Sequence, residues 1–120
     1  MAAATFEDTP LSRTLEVIGG KYKTYIIWRL SSGPMRFGEL HSFFQGVTAH
    51  ILSRQLRELV RDGLVSRKVV SENPPWVEYS LTTTGISLLP VIEAMAEWGA
   101  AYVDMERMKS QLSGSSQSPE

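Results

Sequence analysis

Cysteine is absent from the 120 residues, and histidine occurs only at His41 and His50. The first absence excludes disulfides, thiolate metal sites and a thiol redox switch within this chain. The second leaves two imidazoles at no ligand spacing, so no metal and no cofactor is expected. No uninterrupted apolar run approaches the ~18 residues of a membrane span, and no membrane partner is expected. Met1 to Asp8 lacks a basic stretch followed by a hydrophobic one, so it does not read as a secretory signal. These absences suit the cytoplasm. No glycine-rich phosphate loop or Ser/His/Asp signature is present. Glu16, Glu39, Glu93 and Glu97 stand near no identifiable nucleophile, so no catalytic residue is assigned and an enzyme is not expected.

A chain of this length is one domain by prior, with enough buried surface for one core. Its net charge of −1 argues at first against nucleic acid, but the charge is unevenly placed. Residues 21–68 hold nine basic and three acidic side chains, a net +6. The remainder holds three basic and ten acidic, a net −7. A basic middle between acidic ends places a polyanion-facing surface in the middle. Solvated helix faces would give the same pattern, so the signal gains weight only from what overlaps it.

Residues 1–8 read as a flexible leader. Leu11, Leu15 and Ile18 have helical spacing, and Gly19-Gly20 ends that helix. A second helix is expected from about Lys21 to Ser32, apolar around much of its circumference and so central. Met35-Arg36 is a short extended piece. Phe37 to Phe44 is a short helix with Phe37, Leu40, Phe43 and Phe44 inward. Gln45-Gly46-Val47 is a turn. Leu64–Val70 and Val77–Leu81 are strand candidates around a tip containing Asn73-Pro74-Pro75. Thr82 can cap a last helix from about Thr83 to Met108, which Pro90 should bend near Ile86. Its apolar residues outnumber what one small domain can cover. Residues 111–120 read as a disordered tail by composition.

Thr48 to Lys68 is the most informative stretch. Thr48 is a good N-cap. Ile51, Leu52, Leu56, Leu59 and Val60 form one apolar stripe, and His50, Ser53, Arg54, Arg57 and Arg61 lie opposite. A helix that buries one side and shows hydroxyls and arginines on the other suits a DNA major groove. Arg54 or Arg57 could reach guanine bidentately, clamp a phosphate, or pair with Glu58 or Asp62. Arg67, Lys68 and Asn73 would belong to a wing over about 67–77, or to a solvated hairpin. Lys21 and Lys23 start a helix whose dipole favours a phosphate. Arg36 is a weaker candidate that could instead pair with Glu39. Tyr25, Trp28, Phe43, Phe44, Trp98 and Tyr102 read as core and dimer packing, or as walls of a ligand cavity between the body and the last helix.

Val17–Lys23, Arg36-Phe37-Gly38-Glu39-Leu40, Leu52–Leu59, Asp62-Gly63-Leu64-Val65, Pro74-Pro75 and Val77–Thr82 together resemble the HxlR-type transcriptional regulators of bacteria and archaea. The likeness runs from about Pro10 to Gly99. It implies a homodimeric regulator, similar in plan to MarR-type proteins, on a pseudo-palindromic double-stranded operator. Three departures stand out. Many members carry a cysteine where this chain has Thr9, so a thiol mechanism is excluded here. Where the family usually has tryptophan this chain has Tyr22, whose hydroxyl could still reach a backbone phosphate. His50 replaces a common basic residue, and a neutral imidazole would weaken phosphate attraction there or make it depend on pH below about 7.

The expected fold is α+β and mainly helical: a winged helix-turn-helix domain over 9–110, with a two-stranded wing and terminal dimerisation helices over 9–19 and 83–108. Leu11, Leu15, Leu88, Ile92, Met95, Trp98 and Tyr102 are the expected dimer contacts. The expected function is sequence-specific operator binding, with a cysteine-independent signal and room for a small-molecule effector. A winged helix that contacts protein or RNA is the alternative.

Overall fold

The computed structural model describes residues 5–116, with side chains to Ser113. A short 3-10 turn, Phe6–Asp8, precedes helix α1, Pro10–Ile18. Residues 5–8, expected as part of a flexible leader, are thus ordered into a turn, and 1–4 lie outside the described residues. The Thr9 hydroxyl accepts the Ser12 N–H at 3.2 Å and Pro10 fills the first helical position, which together fix where α1 begins. Helix α2 is Lys23–Leu30, strand β1 Met35–Arg36, helix α3 Phe37–Phe43 and helix α4 Ala49–Arg61. Strands β2, Val65–Val70, and β3, Trp76–Leu81, lead into helix α5, Thr83–Ser116.

The strands form one antiparallel sheet in the order β1-β3-β2. The β2–β3 hairpin pairs Val65 with Leu81 through to Val70 with Trp76, leaving 71–75 as its tip. The Asn73–Pro74 peptide there is cis. The third strand is an addition to the expected two-stranded wing: Met35 and Arg36 pair with Tyr79 and Glu78. Two residues carry no periodicity, so the sequence shows an extended piece and hides its partner.

Helix α4 buries Leu52, Leu56 and Leu59 against α2's Ile26, Ile27 and Leu30, with Leu40, Leu64, Val65 and Tyr79 completing the core. The three leucines recur at helical spacing, so one face is removed from water along its length. Burying each stabilises by roughly 1.5–3 kcal/mol. The expected core role of the aromatics holds only in part. Phe44 is buried, but Trp28, Tyr25 and Phe43 are exposed, because Ile26, Ile27, Leu30 and Leu40 already fill the interior side of their helices. These elements make a winged helix-turn-helix: α3, turn and α4, followed by the hairpin.

Thr82 begins α5, its hydroxyl accepting the Gly85 N–H at 3.1 Å and donating to the Gly63 carbonyl at 2.6 Å. The helix is continuous through Pro90 and runs to Ser116, past the expected end at Met108. Residues 111–116, read as tail, are therefore helical, and 117–120 lie outside the described residues. The chain also divides into two units, between Leu89 and Pro90, where one domain was expected. In its described residues the second unit is a single helix, with Val91, Met95, Trp98, Tyr102, Met105 and Leu112 exposed. Over 83–113 an 18-residue window has a mean hydropathy of 1.2, enough by length and composition to cross a bilayer. Scanning for unbroken apolar runs missed this, since polar residues interrupt the run without lowering the average much.

Candidate nucleic-acid interface

The turn before α4 is built by backbone needs. Gly46 has φ +86°, a left-handed conformation that favours glycine. His41 of α3 donates from Nε2 to the Val47 carbonyl at 2.7 Å, tying the turn to the preceding helix. The Thr48 hydroxyl then accepts the Ile51 N–H at 3.1 Å. Its oxygen is engaged as a cap, and a hydroxyl that accepts one hydrogen bond can still donate another.

On the outer face of α4, His50, Arg54, Arg57 and Arg61 are exposed and Ser53 is half-buried. Arg61 is held by Asp62 at 3.2 Å. That hydrogen bond raises the Arg61 pKa and lowers that of Asp62. Glu58 is taken by Lys23. With both nearby acids occupied, Arg54 and Arg57 form no ion pair among the described residues, and their expected alternative as surface pairs is absent.

Ser53, Arg57 and Val60 of α4 line a cleft of about 410 Å³ with Arg67 of β2 and Tyr79 of β3. The helix and the hairpin thus present cations to one space. Successive strand residues point to opposite faces, so Lys68 projects away from that cleft. It lies across from Glu78, whose other neighbour in register is Arg36. The Arg36 guanidinium sits 3.8 Å from the centre of the Trp76 ring, and its backbone N–H donates to Glu39 at 2.9 Å. Asn73 is exposed at the tip.

Lys21 and Lys23 separate. Lys21 is exposed, its Nζ 5.4 Å from the centre of the half-buried Tyr22 ring. Lys23 is 3 % exposed and its Nζ lies 2.7 Å from Glu58 Oε1. The expectation of a phosphate contact from Lys23 is therefore corrected: its charge is neutralised inside the protein, between α2 and α4. The Lys23 hydrogen bond is the main reason that the Glu58 carboxyl lies below the ordinary carboxylate range, and burial opposes it. Gly20 permits this closure, since a Cβ there would meet Gln55 Oε1 and stand 2.8 Å from Lys23 Cε. A signal existed in the sequence. Gln55 and Glu58 interrupt the leucine face of α4, and a polar break in an apolar face calls for an internal partner.

Of the expected dimer contacts, Leu11, Leu15, Met95, Trp98 and Tyr102 are exposed and Leu88 is half-buried. Trp98 and Tyr102 stack at 5.0 Å. Ile92 is buried.

Residues 17–107 match the HxlR-like helix-turn-helix family. The HTH-type transcriptional regulator YdeP of Bacillus subtilis is 46 % identical over 99 residues, 82 % of this chain and 77 % of that one. The reduced form of the redox regulator HypR superposes with a TM-score of 0.78 at 41 % identity, over 83 % of this chain and 99 % of the other. A MarR-family transcriptional regulator from Enterococcus faecalis gives a TM-score of 0.76 at 34 % identity, over 89 % and 97 %.

Proposed function

The chain belongs to the HxlR-like helix-turn-helix family of transcriptional regulators, and from that premise we propose that it binds a pseudo-palindromic duplex operator as a homodimer in the cytoplasm. In this reading α4 enters the major groove. Arg54, Arg57, Ser53 and His50 face bases or phosphates, and the O–H of Thr48 approaches the backbone. Arg67 follows the backbone or minor groove, with Asn73 at the tip. Lys21 and Tyr22 take a phosphate, and Lys68 and Arg36 add a weaker, screened attraction beside Glu78. The single observation that carries the reading is the cleft where Arg57 and Arg67 meet with no acid in its lining. Two unpaired guanidiniums on one concave surface repel each other unless a polyanion lies between them.

The exposed residues of α5 support the dimer. Val91, Met95, Trp98, Tyr102 and Met105 fall at alternating four- and three-residue steps, the seam of a helix that packs on another helix, with half-buried Leu88 one step before and Leu112 seven residues after, past Lys109. A membrane span is the poorer reading. Glu93 and Glu97 sit in the same stretch, and charges at the middle of a bilayer cost about 2.5–3.5 kcal/mol each. A twofold dimer would present its α4 helices roughly 34 Å apart. Without cysteine, the signal in this chain passes through something other than a thiol.

Fluorescence anisotropy against DNA from upstream of the gene and a scrambled duplex, across a salt series, tests this. Tight binding to the native duplex alone with a steep salt slope is expected. Equal weak binding to both would contradict it.

A further inference from the structure

A hollow of about 570 Å³ opens beside the turn that leads into α4, away from the arginine cleft in sequence and composition. It is lined by Lys21, Tyr22, Tyr25, Phe43, Phe44, Gln45 and Val47. The size is that of a small-molecule site. Tyr25 is 57 % and Phe43 44 % exposed, although rings of this size are ordinarily covered. Their arrangement is specific. The Tyr22 ring stands at 73° to Phe44 with centres 6.1 Å apart, and the Phe43 ring at 83° with centres 5.1 Å apart. Phe44 is buried, and Tyr22 and Phe43 each meet it edge-on. A flat aromatic ligand in a hollow lined by these rings can stack on one and meet another edge-on. Lys21 is the one charged residue of the lining, and it forms no ion pair among the described residues. The lining contains no acid. A protein partner needs about 800 Å² of surface on each side, far more than this hollow offers.

We propose that this hollow binds a planar aromatic carboxylate, its ring against Tyr22 and Phe43 and its carboxylate on Lys21 Nζ. The consequence for DNA rests on the operator reading above. Lys21 and Tyr22 are phosphate contacts there, so ligand and operator compete for one cation, and each must weaken the other.

The probe is 2-naphthoate, titrated calorimetrically into the full DNA-free chain, with 2-naphthamide as its neutral counterpart. Saturable binding of naphthoate is expected, with naphthamide at least about tenfold weaker. Tyr25→Ser, at an exposed position, should keep the fold and weaken naphthoate by about tenfold. Lys21→Gln should bring naphthoate down to the naphthamide level. No saturable binding, equal affinity for both probes, or undiminished binding by Tyr25→Ser would overturn the site. A change of oligomeric state in Tyr25→Ser with naphthoate binding intact would assign the face to a second copy and overturn it equally. Saturating naphthoate should lower operator affinity by about fivefold or more. Unchanged operator affinity would overturn the competition. A chain that binds naphthoate and no DNA would uphold the site and refute the operator reading.

Discussion

On the inner side of α4, Glu58 holds a buried lysine at 2.7 Å; on the outer side, Arg54 and Arg57 form no ion pair among the described residues. The same contrast separates Lys21 from Lys23, two residues apart at the start of α2, one in solvent and one 3 % exposed. Charge that is paired and enclosed fixes how the helices pack. Charge left unpaired on a concave surface is available to a polyanion. Counting cations by stretch of sequence merges the two. The nine cations of residues 21–68 include Lys23 and Arg61, both neutralised by their neighbours Glu58 and Asp62.

The comparison can be strained at several points. The largest effect is expected at the leucine face: Leu56→Ala should cost about 2–5 kcal/mol in urea unfolding, since the side chain is fully buried. Lys23→Met comes next. It leaves Glu58, itself about a third exposed (32 %), without its partner, and a loss of about 1–3 kcal/mol is expected. Lys21→Met, by contrast, should stay within about 0.5 kcal/mol in stability. Its operator affinity should fall across all sequences, with the salt slope reduced by about 1. If both lysine variants lost stability alike, the distinction would fail.

Arg57→Ala should leave the unfolding midpoint unchanged and cost about 1–3 kcal/mol of operator binding if the contact is to a base. The smallest effect concerns acid. Glu58 and Asp62 both have lowered carboxyl pKa values in the fold. The stability they contribute is therefore fully present above the unfolded carboxylate pKa of about 4.3, and is lost as pH falls through their lower folded values. Lys23→Met should flatten the Glu58 part of that acid slope, measured as urea midpoint against pH.

Much of this was legible from residue order. The leucine spacing, the Thr48 cap and the glycine turn locate α4 to within a residue, and the β-branched runs locate the hairpin. Each is set by local periodicity. What was hidden depends on contacts distant in sequence. The pairing of Met35 with Tyr79 needs the sheet, and the burial of Lys23 needs α4 folded over α2. The exposure of Trp28, Tyr25 and Phe43 depends on which neighbours fill the core first. The end of α5 was misjudged because serine and glycine composition argued for a tail, whereas the helix continues through Ser116.

The most direct measurement is operator affinity and unfolding midpoint, side by side, for the Arg54→Ala/Arg57→Ala double variant. The account predicts an unchanged midpoint and a loss of binding of about 2–6 kcal/mol. Binding equal to the parent chain, with the fold intact, would contradict the placing of α4 in the major groove.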